Sequence, residues 1–125
     1  MKLLLDTHTF LWWLSAPHQL SPSAAAVIGD RDNEVLVSVV TLWEIAIKRV
    51  IGKLQAPVDL QVDVERAGFQ LLPLKVAHIV ATELLPLHHR DPFDRVLIAQ
   101  SQTESATLIT RDPQFPAYGV PLIFA

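Results

Sequence analysis

The sequence predicts an α/β fold, a three-layer α/β/α arrangement with a mainly parallel central sheet. Two observations carry that expectation. Short apolar runs alternate with stretches of helical character along the chain, as in successive strand–helix units. The run at 35–40 is also β-branched and unbroken, as expected of a strand covered on both faces.

The elements follow in order. Residues 3–5 form a first strand closed by Asp6, and 10–14 read as a helix. Ser21-Pro22 starts a second helix, with serine as cap and proline at the first helical position, and Gly29 stops it. After the strand at 35–40, the run 41–53 is helical and is punctuated by Gly52 and Pro57. A helix over 58–67, a strand over 69–74 and a helix over 76–85, ended by Pro86, come next. Asp91-Pro92 opens a helix to about Glu104; 106–110 is a strand, and VPLIF at 120–124 an edge strand. With no linker, repeat or low-complexity segment, residues 1–125 read as one domain.

Composition narrows the function classes. Half of the 125 residues are hydrophobic and 18% are charged, which excludes a disordered chain. The absence of cysteine excludes disulfide scaffolds, thiolate metal sites and cysteine nucleophiles. A net charge of −3 without a basic tail argues against coating nucleic acid by charge alone. The apolar start is interrupted by Asp6, Thr7, His8 and Thr9, which suits neither a signal peptide nor a spanning helix, so a cytoplasmic domain is expected.

Ligands of parallel sheets bind outside the carboxyl ends of the strands, which draws attention to the acids there. Asp6 closes the first strand, with no helix to cap until several residues later. Glu44 follows the second strand, Asp94 opens a late helix and Asp112 follows the strand at 106–110. Each also has a structural reading. Thr41 and Glu44 fit a capping box, Asp91 fits a cap ahead of Pro92, Asp94 suits a helix amino terminus, and Asp112-Pro113 is a turn opener. If Asp6, Glu44, Asp94 and Asp112 converge, each close pair costs on the order of 4 kcal/mol at 4 Å and an effective dielectric near 20. A bound cation or a retained proton relieves that repulsion. Oxygen-only donors select Mg²⁺ or Mn²⁺, so the residues alone point to metal-dependent phosphoryl transfer.

The stretches LLLDTHTFLWWL, VSVVTLWEIAIKRVIGKL, HHRDPFDRVLIAQ and TLITRDPQF resemble the four signature blocks of the PIN-domain family. The order and spacing are most similar to its VapC-type toxin ribonucleases, and the resemblance covers nearly the whole chain. It implies a PIN-like sandwich and a Mg²⁺- or Mn²⁺-dependent endoribonuclease. Such an enzyme hydrolyses RNA by metal-activated water, forms homodimers and is silenced by a cognate antitoxin protein. Carried over by position, Asp6, Glu44, Asp94 and Asp112 are the metal acids. Thr110 matches a hydroxyl position beside them. Asp91 recurs in the branch, although its cap role already explains it. Ser101 departs mildly from the family's usual small residue there, which touches packing only.

For an acidic protein, RNA contacts fall to Lys48, Arg49, Lys53, Arg90, Arg95 and Arg111, with solvated helix faces or antitoxin contacts as the plain alternative. His8, His18, His78, His88 and His89 read as surface or loop residues. A histidine-based, metal-independent ribonuclease is the alternative they leave. Phe10, Leu11, Trp12, Trp13 and Trp43 read mainly as packing of the first helix, with base stacking as the rival. Two other classes stay in view. One is a response-regulator receiver, which lacks its adjacent acid pair and its acceptor aspartate here. The other is a catalytically silent PIN-like module that binds RNA or protein.

Overall fold

A computed structural model describes residues 1–56 and 59–125. The expected elements are present: strands β1 (Lys2–Leu5), β2 (Glu34–Ser38), β3 (Gln70–Leu72), β4 (Thr107–Thr110) and β5 (Leu122–Phe124). The helices are α1 (Thr7–Ser15), α2 (Pro22–Gly29), α3 (Val39–Val50), α4 (Leu60–Arg66), α5 (Val76–Glu83) and α6 (Pro92–Thr103). Pro57, expected to punctuate α3, and residue 58, the expected start of α4, lie outside the described residues.

The sheet has the order β3-β2-β1-β4-β5, and every pairing is parallel. Of the expected 120–124 edge strand, Leu122–Phe124 join the sheet, parallel and beside β4. Chain direction across the sheet reverses between β1 and β4, since β2 and β3 extend to one side and β4 and β5 to the other. That reversal leaves a crevice at the carboxyl ends of the two strands.

Side chains alternate along each strand and separate two cores. Leu3, Leu5, Val35, Val37 and Ile109 pack with Phe10, Ile28, Ile45 and Val64 from α1–α4. Leu4, Leu36, Leu72 and Leu108 face the other way, against Leu97 and Ile98 of α6 and against Phe115. The result is the expected three layers, with α1–α4 on one side and α5 and α6 on the other.

The strands expected over 69–74, 106–110 and 120–124 are shorter than expected, and two helix starts differ for one reason, competition for free amide groups. Val39 and Val40 belong to α3, not to the preceding strand. The buried Ser38 hydroxyl accepts from the Val40 N–H at 3.1 Å and starts the helix before Thr41 can. The Thr41 hydroxyl has no hydrogen-bond partner among the described residues, so the Thr41–Glu44 capping box does not form. Likewise α1 begins at Thr7, because Asp6 itself caps it. At its other end α3 stops on Gly52, whose φ of +73° lets the Lys53 N–H reach the Lys48 carbonyl at 2.9 Å.

Candidate active site

The four singled-out acids reach the β1/β4 crevice by four local routes. Asp6 closes β1 and turns directly into α1: Oδ1 accepts from the Thr9 N–H at 2.9 Å, and Oδ2 accepts from the Thr110 hydroxyl at 2.6 Å. Asp6 is therefore a helix cap as well as a crevice acid. Glu44 stands in the second turn of α3. Its Oε1 accepts from the Thr7 hydroxyl and its Oε2 from Lys48 Nζ, both at 2.6 Å. Asp94 projects from the first turn of α6. Asp112 follows β4, where its backbone N–H donates to the Thr110 hydroxyl at 3.0 Å and its Oδ1 accepts from the Gln114 N–H at 2.8 Å.

Together they line a cleft of about 520 Å³, shared with Thr7, His8, Trp12, Lys48, His89, Asp91 and Arg111. Asp91 behaves as the cap the sequence suggests, its Oδ1 accepting from the Phe93 and Asp94 N–H groups at 2.9 and 3.1 Å. Thr110 does not line the cleft. It acts from behind, tying Asp6 to the backbone of Asp112.

The carboxylates are held in an unfavourable field. Burial pushes the Asp94 carboxyl up to about 7, the charge of Asp91 adds to it, and Glu44 and Asp6 push the same way while His89 opposes them. Burial also raises Asp6, against the hydrogen bonds from Thr110 and Thr9. Lys48 is raised chiefly by its hydrogen bond to Glu44. A carboxyl titrating near neutrality among other acids lacks a counter-charge, and the oxygen donors fit a hard divalent cation. Among the described residues, the ligand atoms that lie within 4.8 Å of one another belong to His89, Asp94 and Asp112. Asp6 and Glu44 line the same cleft outside that tight group.

His89 is the residue sequence reasoning missed. It is buried, with Nε2 2.9 Å from Asp94 Oδ2 and 3.0 Å from Asp112 Oδ2. Its position in H-x-D-P-F-D, just ahead of the Asp91 cap, was the available signal. His78 is also buried and paired, in helix α5; His89 does lie in a loop, as expected, but neither is at the surface.

The proposed basic rim is largely dispersed. Arg95 turns away from the cleft and donates to the carbonyls of Thr82, Leu85 and Pro86. Arg49, Lys53 and Arg90 do not line the cleft either; only Lys48 and Arg111 do. Arg111 Nη2 donates to the Gln19 and Ala125 carbonyls, and its guanidinium lies 4.5 Å from the Trp12 ring centroid. The aromatic group is likewise divided. Phe10 and Leu11 are core, Trp13 packs on Phe69, Trp12 borders the cleft, and Trp43 is 59% exposed beside Phe93.

The sequence model of the PIN domain family matches residues 3–121. Among solved structures, VapBC2 from Rickettsia felis, bound to a DNA fragment from its promoter, superposes with a TM-score of 0.72. The identity is 14%, and 98% of each chain is covered. DNA-bound VapBC from Salmonella typhimurium gives 0.71 at 16% identity, covering 98% of this chain and 97% of that one. VapBC-5, a toxin–antitoxin system of Mycobacterium tuberculosis, gives 0.62 at 22% identity, covering 99% and 98%. At such identities these likenesses show the fold. No curated protein matches the chain by sequence.

Proposed function

The chain belongs to the PIN-domain family, and from that premise we propose that it is a divalent-metal-dependent endoribonuclease, the toxin of a bacterial toxin–antitoxin pair. The observation that carries the proposal is the convergence of Asp6, Glu44, Asp94 and Asp112 from four separate elements on one cleft at the strand reversal. Two of them, Asp6 and Asp94, are costly there as bare charges, and a cation offsets that cost. When bound, Mg²⁺ or Mn²⁺ supplies Lewis acidity toward a phosphodiester and lowers the pKa of water.

The chain's own residues do the remaining work. Thr110 and the α1 backbone orient the Asp6 carboxylate, Thr7 and Lys48 orient Glu44, and His89 spans Asp94 and Asp112. Lys48 and Arg111 are the cations placed to meet phosphate oxygens of RNA at the cleft. With so few phosphate contacts, binding to a single strand falls with salt at a log–log slope of about −2 or shallower.

Residues 1–125 acting as one nuclease domain, a homodimer, a cognate antitoxin that closes the cleft and a cytoplasmic site of action complete the proposal. No helix among the described residues is long and apolar enough to cross a membrane. The test is cleavage of RNA by the purified protein with Mg²⁺ or Mn²⁺. Discrete fragments with 5′ phosphates that vanish with chelator are expected. Chelator-resistant cleavage to cyclic phosphates points instead to the histidine-based reaction, and absence of any cleavage to the silent binding module.

A further inference from the structure

His89 is held at its backbone N–H and at both ring nitrogens. Its backbone N–H donates to the Tyr118 hydroxyl at 2.7 Å, and Arg95 Nη1 donates to the same hydroxyl at 3.3 Å. Its ring meets the buried Phe115 edge-on, with centroids 5.8 Å apart. Nδ1 accepts the Asp91 backbone N–H at 3.2 Å. A neutral imidazole carries one ring proton, and a nitrogen that accepts a hydrogen bond does not hold it. The proton therefore sits on Nε2, which faces Asp94 Oδ2 at 2.9 Å and Asp112 Oδ2 at 3.0 Å. Nε2 hydrogen-bonds the Asp112 carboxylate, from the segment after β4, and stands at ion-pair distance from the Asp94 carboxylate, from the start of α6.

The same distances would suit a three-ligand cation site made by His89, Asp94 and Asp112. The hydrogen bonding opposes it. A ligating nitrogen needs a free lone pair, whereas Nε2 holds the proton and the Nδ1 lone pair is engaged by Asp91. Moving the proton to Nδ1 would set two N–H groups against each other at the cap of α6. Hard divalent cations also favour oxygen over imidazole nitrogen.

We infer that His89 is a positioning residue of the cleft: its Nε2–H holds Asp112 by a hydrogen bond with Asp94 in close contact beside it, which sets the spacing of the two acids, and it does not itself ligate the cation. The inference rests on the metal-nuclease reading above. It assigns the Tyr118–Arg95 contacts a purpose, since they fix the backbone from which the ring projects. It also explains why Arg95 turns toward the carbonyls at the end of α5 and in the turn after it, away from the cleft.

The test follows the ring nitrogens of His89 by ¹⁵N NMR in the full chain, assigned by comparison with His89→Gln, while Mg²⁺ alone is added. The expected result is a protonated Nε2 and an unprotonated Nδ1 both before and after saturation. Transfer of the proton to Nδ1 on Mg²⁺ addition makes His89 a ligand and overturns the inference. Mg²⁺ affinity supplies a second readout. His89→Gln, which keeps an N–H donor near the Nε2 position, should stay close to wild type, and His89→Leu should bind about tenfold more weakly or worse. An unchanged affinity in a folded His89→Leu also overturns the inference, and if that variant fails to fold the tautomer measurement still decides. Mg²⁺ that moves none of the carboxyl resonances of Asp6, Glu44, Asp94 and Asp112 instead removes the metal-nuclease reading, and the inference with it.

Discussion

His78 and His89 are built alike and differ in what they face. In each, Nδ1 accepts a backbone N–H at a helix start, from Lys75 at 3.0 Å and from Asp91 at 3.2 Å. Each Nε2 points at carboxylate oxygen. His78 meets one acid, Glu104, at 2.9 Å, in a fully buried position shared with Gln100. His89 meets two, at the wall of an open cleft lined by further acids. The carboxyl groups respond in opposite directions. The His78 hydrogen bond holds Glu104 below its ordinary 4.5, whereas burial and neighbouring acids push Asp94 up to about 7. One donor for one carboxylate closes a latch between α5 and the end of α6. One donor for two, among other acids, leaves negative charge that a cation can answer.

If that contrast is right, activity resides on the cleft side and stability on the latch side. The largest expected effect is at Asp6. Asp6→Asn keeps an N-cap of equal quality for α1, so thermal unfolding should move little, while RNA cleavage falls at least a hundredfold, about 3 kcal/mol. Loss of both together, or of neither, breaks the separation. His78→Ala should do the reverse. It strands the Lys75 N–H and leaves a cavity, which costs about 2–4 kcal/mol in urea unfolding. Cleavage per folded molecule should stay at the wild-type level.

A pH series sharpens the latch half. Because the Glu104 pKa is lower folded than unfolded, its contribution is fully present above its ordinary 4.5 and is lost as pH falls through the folded value. Wild type should therefore exceed Glu104→Gln by about 1–2 kcal/mol near pH 6, with the gap closing toward pH 3. A pH-independent gap would show that the glutamate acts by packing alone. The smallest effect is expected from Asp91→Asn, which keeps the cap of α6 and stays within about 0.5 kcal/mol in stability. Removing that charge should lower the Asp94 pKa from about 7, as read by carboxyl ¹³C titration. An unmoved Asp94 would leave burial, with Glu44 and Asp6, as the cause.

Much of the fold was legible because its signals are local. Unbroken apolar strands, Ser21-Pro22, Asp91-Pro92 and Gly52 act within a few residues of themselves, and the structure has an element or boundary at each. The misreadings at Asp6, Ser38 and Thr41 share a cause: several oxygens stood near one helix start, and only the folded backbone decided which would accept. Asp6 also defeated a choice between structure and function, because one carboxylate oxygen caps α1 while the other meets Thr110 across the sheet.

The acids themselves, their chemical class and their place after strands could be read from the chain alone, since a strand's carboxyl end is a position in sequence. The partners of those acids could not. Thr7 meets Glu44 across 37 residues, Thr110 meets Asp6 across 104, and His89 meets Asp112 across 23. Arg95 and Arg111, alike as charges in the sequence, were separated by packing: both donate to backbone carbonyls, but Arg111 also lines the cleft and Arg95 does not. Residue type and spacing determine which groups exist and roughly where the backbone turns. Which groups touch depends on strand order and on which side of the sheet each helix packs, and those are properties of the assembled layers.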